Sequence, residues 1–248
     1  MAKYIIHACN KRMDYVMKRL VPDMVSQGIN KDDIVVDVDK DEIGCLEHTM
    51  RIFRAMPDHG DTWHLQDDVL ISSDFKEKTE ADYTGIVCGF ASKYDHNPVV
   101  GETDFAHAWY SFPCIRIPNR TALKCGEYFF NVVMKSRKQE HKKFIRNKKY
   151  DDSLFKEYVR IFEPNIKVTN LAPNIVDHID YLIGGTVVNY GRALSNVSSV
   201  FWNEPERTEA LYNDILNECL QKCDPLDKIE KPEAKETPAR RTRRRKKN

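Results

Sequence analysis

No apolar stretch of this sequence approaches the roughly 20 uninterrupted residues that cross a bilayer. Its opening, MAKYIIHACNKR, has neither a long apolar region nor a small-residue cleavage site. Both absences argue against a membrane-spanning helix and a secretory leader, and the expected location is the cytoplasm. The seven cysteines (Cys9, Cys45, Cys88, Cys114, Cys125, Cys219, Cys223) are scattered, with no C-x-x-C and no Cys/His spacing of the zinc type. That argues against a zinc fold, and most of them are expected to be small buried hydrophobes. Glycine is scarce at 10 of 248 residues. Neither G-x-G-x-x-G nor a P-loop follows the first predicted strand, which argues against dinucleotide-binding and phosphate-cradling versions of an α/β fold.

Charge of one sign is scarce or missing in two segments of a chain whose formal net charge is only +1. KSRKQEHKKFIRNKK, Lys135 to Lys149, carries eight Lys/Arg and one Glu, and RRTRRRKKN, Arg240 to Asn248, carries seven Lys/Arg and no acid. Setting those fifteen cations and one glutamate aside from 39 basic and 38 acidic residues leaves 24 against 37, a body at −13. Such segregation points to a polyanionic partner, nucleic acid or an anionic membrane surface. A solvated loop plus a disordered tail is the plainer alternative.

The remaining pattern is that of a folded domain, since 41% apolar residues can fill a sizeable core at this length. KYIIHA (Lys3 to Ala8) and IVVDVD (Ile34 to Asp39) read as strands. Between them, Val16, Met17, Leu20, Val21, Met24 and Val25 follow a helical rhythm, with a kink expected at Pro22. Ile43, Leu46, Met50, Phe53 and Met56 mark a second helix stopped by Pro57, and the strand TWHLQDDV follows. Strand, helix, strand, helix, strand is the grammar of a parallel sheet covered by helices. Further strands are expected in YTGIVCGFA (Tyr83 to Ala91) and WYSFPCIRIP (Trp109 to Pro118), separated by a long polar loop, Ser92 to Ala108. Helices are expected from Asp151 and Asp152 through SLFKEYVRIF, from Pro173 through Ile183, and over roughly Pro205 to Cys223. The chain divides into one domain, residues 1–223, with halves of about 1–91 and 92–223. Residues 224–248 are expected to be a disordered basic tail.

Ligands of such sheets bind beyond the carboxyl ends of the strands. The polar residues expected there are Asn10 and Arg12 after the first strand, Asp37 and Asp39 on the second, and Gln66, Asp67 and Asp68 on the third. Side chains alternate along a strand, so Asp67 and Asp68 can both reach the crevice only where the strand ends. Two adjacent carboxylates repel one another unless a cation intervenes, and hard oxygen ligands suit magnesium, manganese or calcium. Two solvated aspartates in a turn would be the simpler reading.

An apolar strand ending in an acidic pair, third in an alternating α/β half, resembles the metal-binding DxD-type motif of nucleotide-sugar glycosyltransferases of the GT-A fold. The likeness covers about residues 3 to 190, although DD stands here in place of a spaced D-x-D and leaves the principal ligand open between Asp67 and Asp68. The resemblance implies a GT-A-like, mostly parallel α/β sheet flanked by helices. It also implies a nucleotide-sugar donor, UDP-linked by preference, and Mn2+ or Mg2+ on the donor diphosphate as Lewis acid. It assigns Asn10, Arg12, Asp37, Asp39 and Gln66 to the donor, with the planar fork of Arg12 suited to phosphates.

His178, in PNIVDHIDYLIGG, is implied as a further metal or phosphate ligand. On a helical wheel it falls roughly 100° from the apolar centre, at the margin of the face. A boundary histidine bonded to Asp177 or Asp180 is the structural alternative. Asp151 or Asp152 occupies the place of a general base in inverting members, with Glu102 and Asp104 as further candidates and helix capping as the structural alternative. Together with the basic segments, the pattern is loosely similar to bacteriophage enzymes that glycosylate hydroxymethylated pyrimidines in DNA. That likeness implies DNA as acceptor, held by Lys135–Lys149 and Arg240–Lys247, and the host cytoplasm as location. The alternatives are a cell-envelope or glycan glycosyltransferase whose tail touches anionic lipid, a nucleotidyltransferase, and a non-catalytic nucleic-acid-binding protein.

Overall fold

The computed structural model describes residues 3–91, 99–103, 112–137, 151–184 and 201–222. Strand β1 (Lys3–Cys9) leads into a helical run, α1 (residues 10–26), and then β2 (Ile34–Asp39), α2 (Cys45–Arg54) and β3 (Asp61–Gln66). After a two-residue turn come β4 (Val69–Ile71), α3 (Phe75–Glu80), β5 (Ile86–Cys88), β6 (Gly101–Thr103) and β7 (Cys114–Pro118). The rest is α4 (Asn119–Arg137), α5 (Asp151–Phe162), β8 (Val168–Asn170), β9 (Val176–His178), α6 (Asp180–Ile183) and α7 (Pro205–Lys222).

Seven of these strands form one sheet in the order β2-β1-β3-β7-β5-β8-β6. β2, β1 and β3 run parallel, β5 and β8 run parallel, and β7 and β6 run against their neighbours. The expected α/β architecture, a mostly parallel sheet flanked by helices, is the one observed. Period-two alternation divides the core between its faces. From β1, Tyr4, Ile6 and Ala8 pack with Val16, Leu20, Val21 and Met24 of α1 and with Phe75 of α3. On the opposite face Ile86, Cys88, Ile115 and Ile117 meet Phe53 of α2, Phe129 of α4 and Phe155 of α5. Gly126 lets α4 approach α2 closely: a Cβ there would stand 2.8 Å from the Arg54 nitrogen and 2.9 Å from Phe53 Cβ.

Several expectations are met and others corrected. The first helix does not break at Pro22. A π turn over Val16–Leu20 precedes the proline and leads into an α-helical stretch, Val21–Ser26, so the helical run continues past the missing N–H with its hydrogen-bond pattern altered. Of the six cysteines among the described residues, Cys88, Cys114 and Cys125 are buried, whereas Cys45 and Cys219 are exposed and Cys9 lies between. The expected loop over 92–108 contains an edge strand, β6, which carries Glu102 away to an ion pair with Lys167 at 3.3 Å. Asp104, most of Lys135–Lys149 and the tail lie outside the described residues.

The largest correction concerns residues 173–183. The predicted helix is instead the strand β9, antiparallel to β4, followed by the short helix α6. Five apolar residues at helical spacing (Ile175, Val176, Ile179, Leu182 and Ile183) are equally the content of a buried strand plus one turn, and pairing with β4 decided between them. No helix among the described residues is long and apolar enough to cross a membrane.

Candidate functional site: an acidic pair bridged by an arginine

β3 ends at Gln66, and Asp67 and Asp68 form the turn before β4. Leaving the ladder frees both carboxylates from alternation, so they turn to the same cation. Arg12 Nη1 lies 2.7 Å from Asp67 Oδ1 and 2.6 Å from Asp68 Oδ2. Each of these side chains is only 7–8% exposed. The arginine comes from the start of α1, directly after β1, and its Nε donates to the Gly184 carbonyl at 3.2 Å. The backbone N–H of Cys9, the last residue of β1, donates to Asp67 Oδ2 at 2.7 Å.

His178 completes the group from β9, which pairs Val69 with His178. Its Nε2 stands 3.2 Å from Asp68 Oδ2, and its Nδ1 faces Asp180 Oδ1 at 3.6 Å. The Asp68 carbonyl accepts from Ile179 N–H at 2.8 Å and locks the two segments together. Residues 55 to 172 positions apart in sequence thus meet at the carboxyl end of β3.

The electrostatics follow from burial and pairing. Burial alone would push both carboxyls upward. For Asp68 that push is outweighed by His178 and Arg12, which bring it down to about 2. For Asp67, burial and the charge of Asp68 win over Arg12, and its carboxyl is raised. Burial opposes the imidazolium of His178, but Asp68 and Asp180 hold it above the ordinary histidine range.

Not every predicted site residue joins this group. Asp39 accepts from Ile43 and Gly44 N–H at 3.0 and 2.9 Å and organises the loop before α2. It lies opposite Cys9 in the sheet, and so flanks the cluster without touching it. Asp37 is taken by α2, with His48 Nε2 at 2.8 Å and Arg51 Nη2 at 2.7 Å. Asn10 donates to the Lys40 carbonyl at 3.3 Å, and Gln66, half buried, sits opposite His7.

Asp151 is buried at the first turn of α5, where Thr49 Oγ of α2 donates to it at 2.8 Å. Desolvation, together with the charge of Asp152, pushes it up to about 6. Asp152, the second residue of α5, accepts from the neighbouring Ser153 N–H at 2.6 Å.

Of the two neighbours expected beside His178, Asp180 is the one that faces its ring, and it is 5% exposed. One feature escaped sequence reasoning, a buried histidine row: His7 Nε2 and His64 Nδ1 are 2.9 Å apart, and the His7 and His48 rings lie edge to face at 5.8 Å. The alternation of β1 and β3 could have signalled it, since His7 and His64 share the face turned to α2.

No protein-family model matches this chain, and no curated protein does. Among solved structures it is similar to the glycosyltransferase GlyE of Streptococcus pneumoniae TIGR4. The likeness is at 11% identity and a TM-score of 0.42 for the apo form, and at 13% and 0.43 for a second GlyE structure. Each alignment covers 90% of this chain and 64% of the GlyE chain. This chain therefore spans less than two thirds of the protein with which it aligns, and the likeness describes the course of the backbone alone.

Asp67, Asp68, Asp180 and His178 offer hard oxygens and one imidazole, a donor set suited to Mn2+ or Mg2+. Asp68 Oδ1, Asp180 Oδ1 and His178 Nδ1 are buried without hydrogen-bond partners, so unused ligand capacity remains in the group. Among the described residues, no three His, Cys, Asp or Glu side chains are placed to hold a metal ion as they stand. The guanidinium of Arg12 stands between the two carboxylates.

Proposed function

We propose that this protein is a glycosyltransferase that takes a nucleotide sugar, by preference UDP-linked, and moves its sugar to an acceptor hydroxyl. The observation that carries the reading is the buried cluster Arg12–Asp67–Asp68–His178 at the carboxyl end of β3 in a mostly parallel α/β sheet. An anionic diphosphate approaching the carboxylates of Asp67, Asp68 and Asp180, set against one guanidinium and one imidazolium, meets net repulsion, so the donor needs further positive charge. Asp67, Asp68 and His178 would hold Mn2+ or Mg2+, which supplies Lewis acidity at the leaving diphosphate. Cys9 N–H and the turn geometry fix Asp67, while pairing with β4 fixes His178.

If the reaction inverts the anomeric centre, Asp151 is the residue suited to accept the acceptor's proton. A carboxyl near 6 is ionised at neutral pH yet basic enough to take a proton in the transition state. Its Thr49 hydrogen bond keeps one oxygen oriented. For the acceptor, the segregated cations of Lys135–Lys149 and Arg240–Lys247 favour a polyanion, and we assign DNA carrying a hydroxymethylated pyrimidine.

A thermal-shift screen of nucleotide sugars with and without Mn2+ tests the donor. One nucleotide sugar should stabilise the protein by RT ln(1 + [L]/Kd), and more so with the metal. No response to any nucleotide sugar overturns the reading. Incubating the donor so found with modified and unmodified DNA, followed by nucleoside mass analysis, tests the acceptor.

A further inference from the structure

The acidic pair is already served by a cation, and that cation belongs to the chain. Arg12 Nη1 is shared almost equally by Asp67 and Asp68, at 2.7 and 2.6 Å, the position a bridging ion would take. A divalent ion bound to carboxylate oxygens sits about 2.1 Å from them, so the ion and this nitrogen cannot both occupy the place. Two cations there would also repel strongly where solvent is nearly excluded. The arginine neutralises charge without using every ligand. Asp68 is 5% exposed, and its Oδ1 lies buried beside the guanidinium with no hydrogen-bond partner. Asp180 Oδ1 and His178 Nδ1 are in the same condition. A guanidinium presents planar N–H donors in a fixed fork, whereas a spherical ion can draw ligands from several directions.

We propose that Arg12 and a divalent cation compete for the Asp67–Asp68 site, with Arg12 as the internal counter-ion of the free protein. The inference rests on the donor-site reading above and adds to it the order of events. An ion enters as Arg12 leaves, and the released fork, still tethered at the start of α1, becomes available to phosphate oxygens. Metal alone therefore binds the free protein weakly, because it must displace a buried, doubly paired arginine.

The test measures Mn2+ binding to the full chain without any nucleotide, from the electron paramagnetic resonance signal of free Mn2+. Arg12→Gln should bind Mn2+ at least tenfold more tightly than wild type, with Arg12→Lys between them. Adding Asp68→Asn to Arg12→Gln should abolish the gain. Equal or weaker binding by Arg12→Gln than by wild type overturns the competition while leaving the metal-assisted reading intact. No Mn2+ binding by either protein, while a nucleotide sugar still binds, overturns both. Should Arg12→Gln be unfolded without metal, Mn2+ is expected to restore its cooperative thermal unfolding and to shift wild type far less. Failure of Mn2+ to restore folding overturns the competition as well.

Discussion

At the scale of single residues, the opposing shifts at the site make separable predictions. Asp68 bears both Arg12 and His178, so Asp68→Ala leaves a buried guanidinium and an imidazolium without their shared anion. A loss of about 3–5 kcal/mol in urea unfolding is expected, with transfer abolished. Asp151 works the other way. Its folded carboxyl, near 6, lies above the ordinary 3.8, so between those values the folded chain keeps a proton that the unfolded chain has lost. Stability should fall as pH rises through that window, by up to about 3 kcal/mol in total. Asp151→Asn should flatten this dependence and lower turnover about 10²–10⁴-fold, and wild-type turnover should decline below about pH 6. Unchanged turnover would leave Asp151 a structural residue.

Asp67 and Asp68 were legible in the sequence because an apolar strand that stops on two acids demands a cation. Asp37 looked equivalent, but its carboxylate is used by His48 and Arg51 of α2. Strand position alone does not distinguish an acid that faces a ligand from one that faces its own helix.

At the scale of elements, α2 is the hub: it packs against α4, hydrogen-bonds Asp151 of α5 and covers the histidine row. Gly126→Ala would drive a methyl into the α2 backbone and should cost about 1–3 kcal/mol, read as a lower thermal midpoint. The row adds an acid-sensitive seam. Burial holds His7 far below its ordinary 6.5 and brings His64 to about 3, so both remain neutral in the core. The unfolded chain binds protons on them below about pH 6.5, and the stability they permit is lost as pH falls below that value. The double variant His7→Leu/His64→Leu should show a shallower decline in urea midpoint between pH 6.5 and 5.

β1, β2, α2 and β3 were readable from periodicity because each is long enough to repeat its pattern. β4, β8 and β9, at three residues each, are too short to repeat the two-residue period of a strand. Their identity comes from partners across the sheet.

For the whole molecule, the segregated charge sets a salt dependence. If DNA is the acceptor, removing Arg240–Asn248 deletes seven cations and should lower the slope of log K against log [salt] by up to about 6. An unchanged slope would remove the tail from the interface.

The sequence by itself determined the α/β alternation, the helices of the first half and the acidic turn closing β3. Each rests on local periodicity or on the cost of burying like charges side by side. Only the tertiary structure decided that His178 comes from a strand, that Asp180 stands behind it, and that Arg12 fills the place between the carboxylates. Those facts depend on contacts between segments as many as 172 positions apart, which no local pattern encodes.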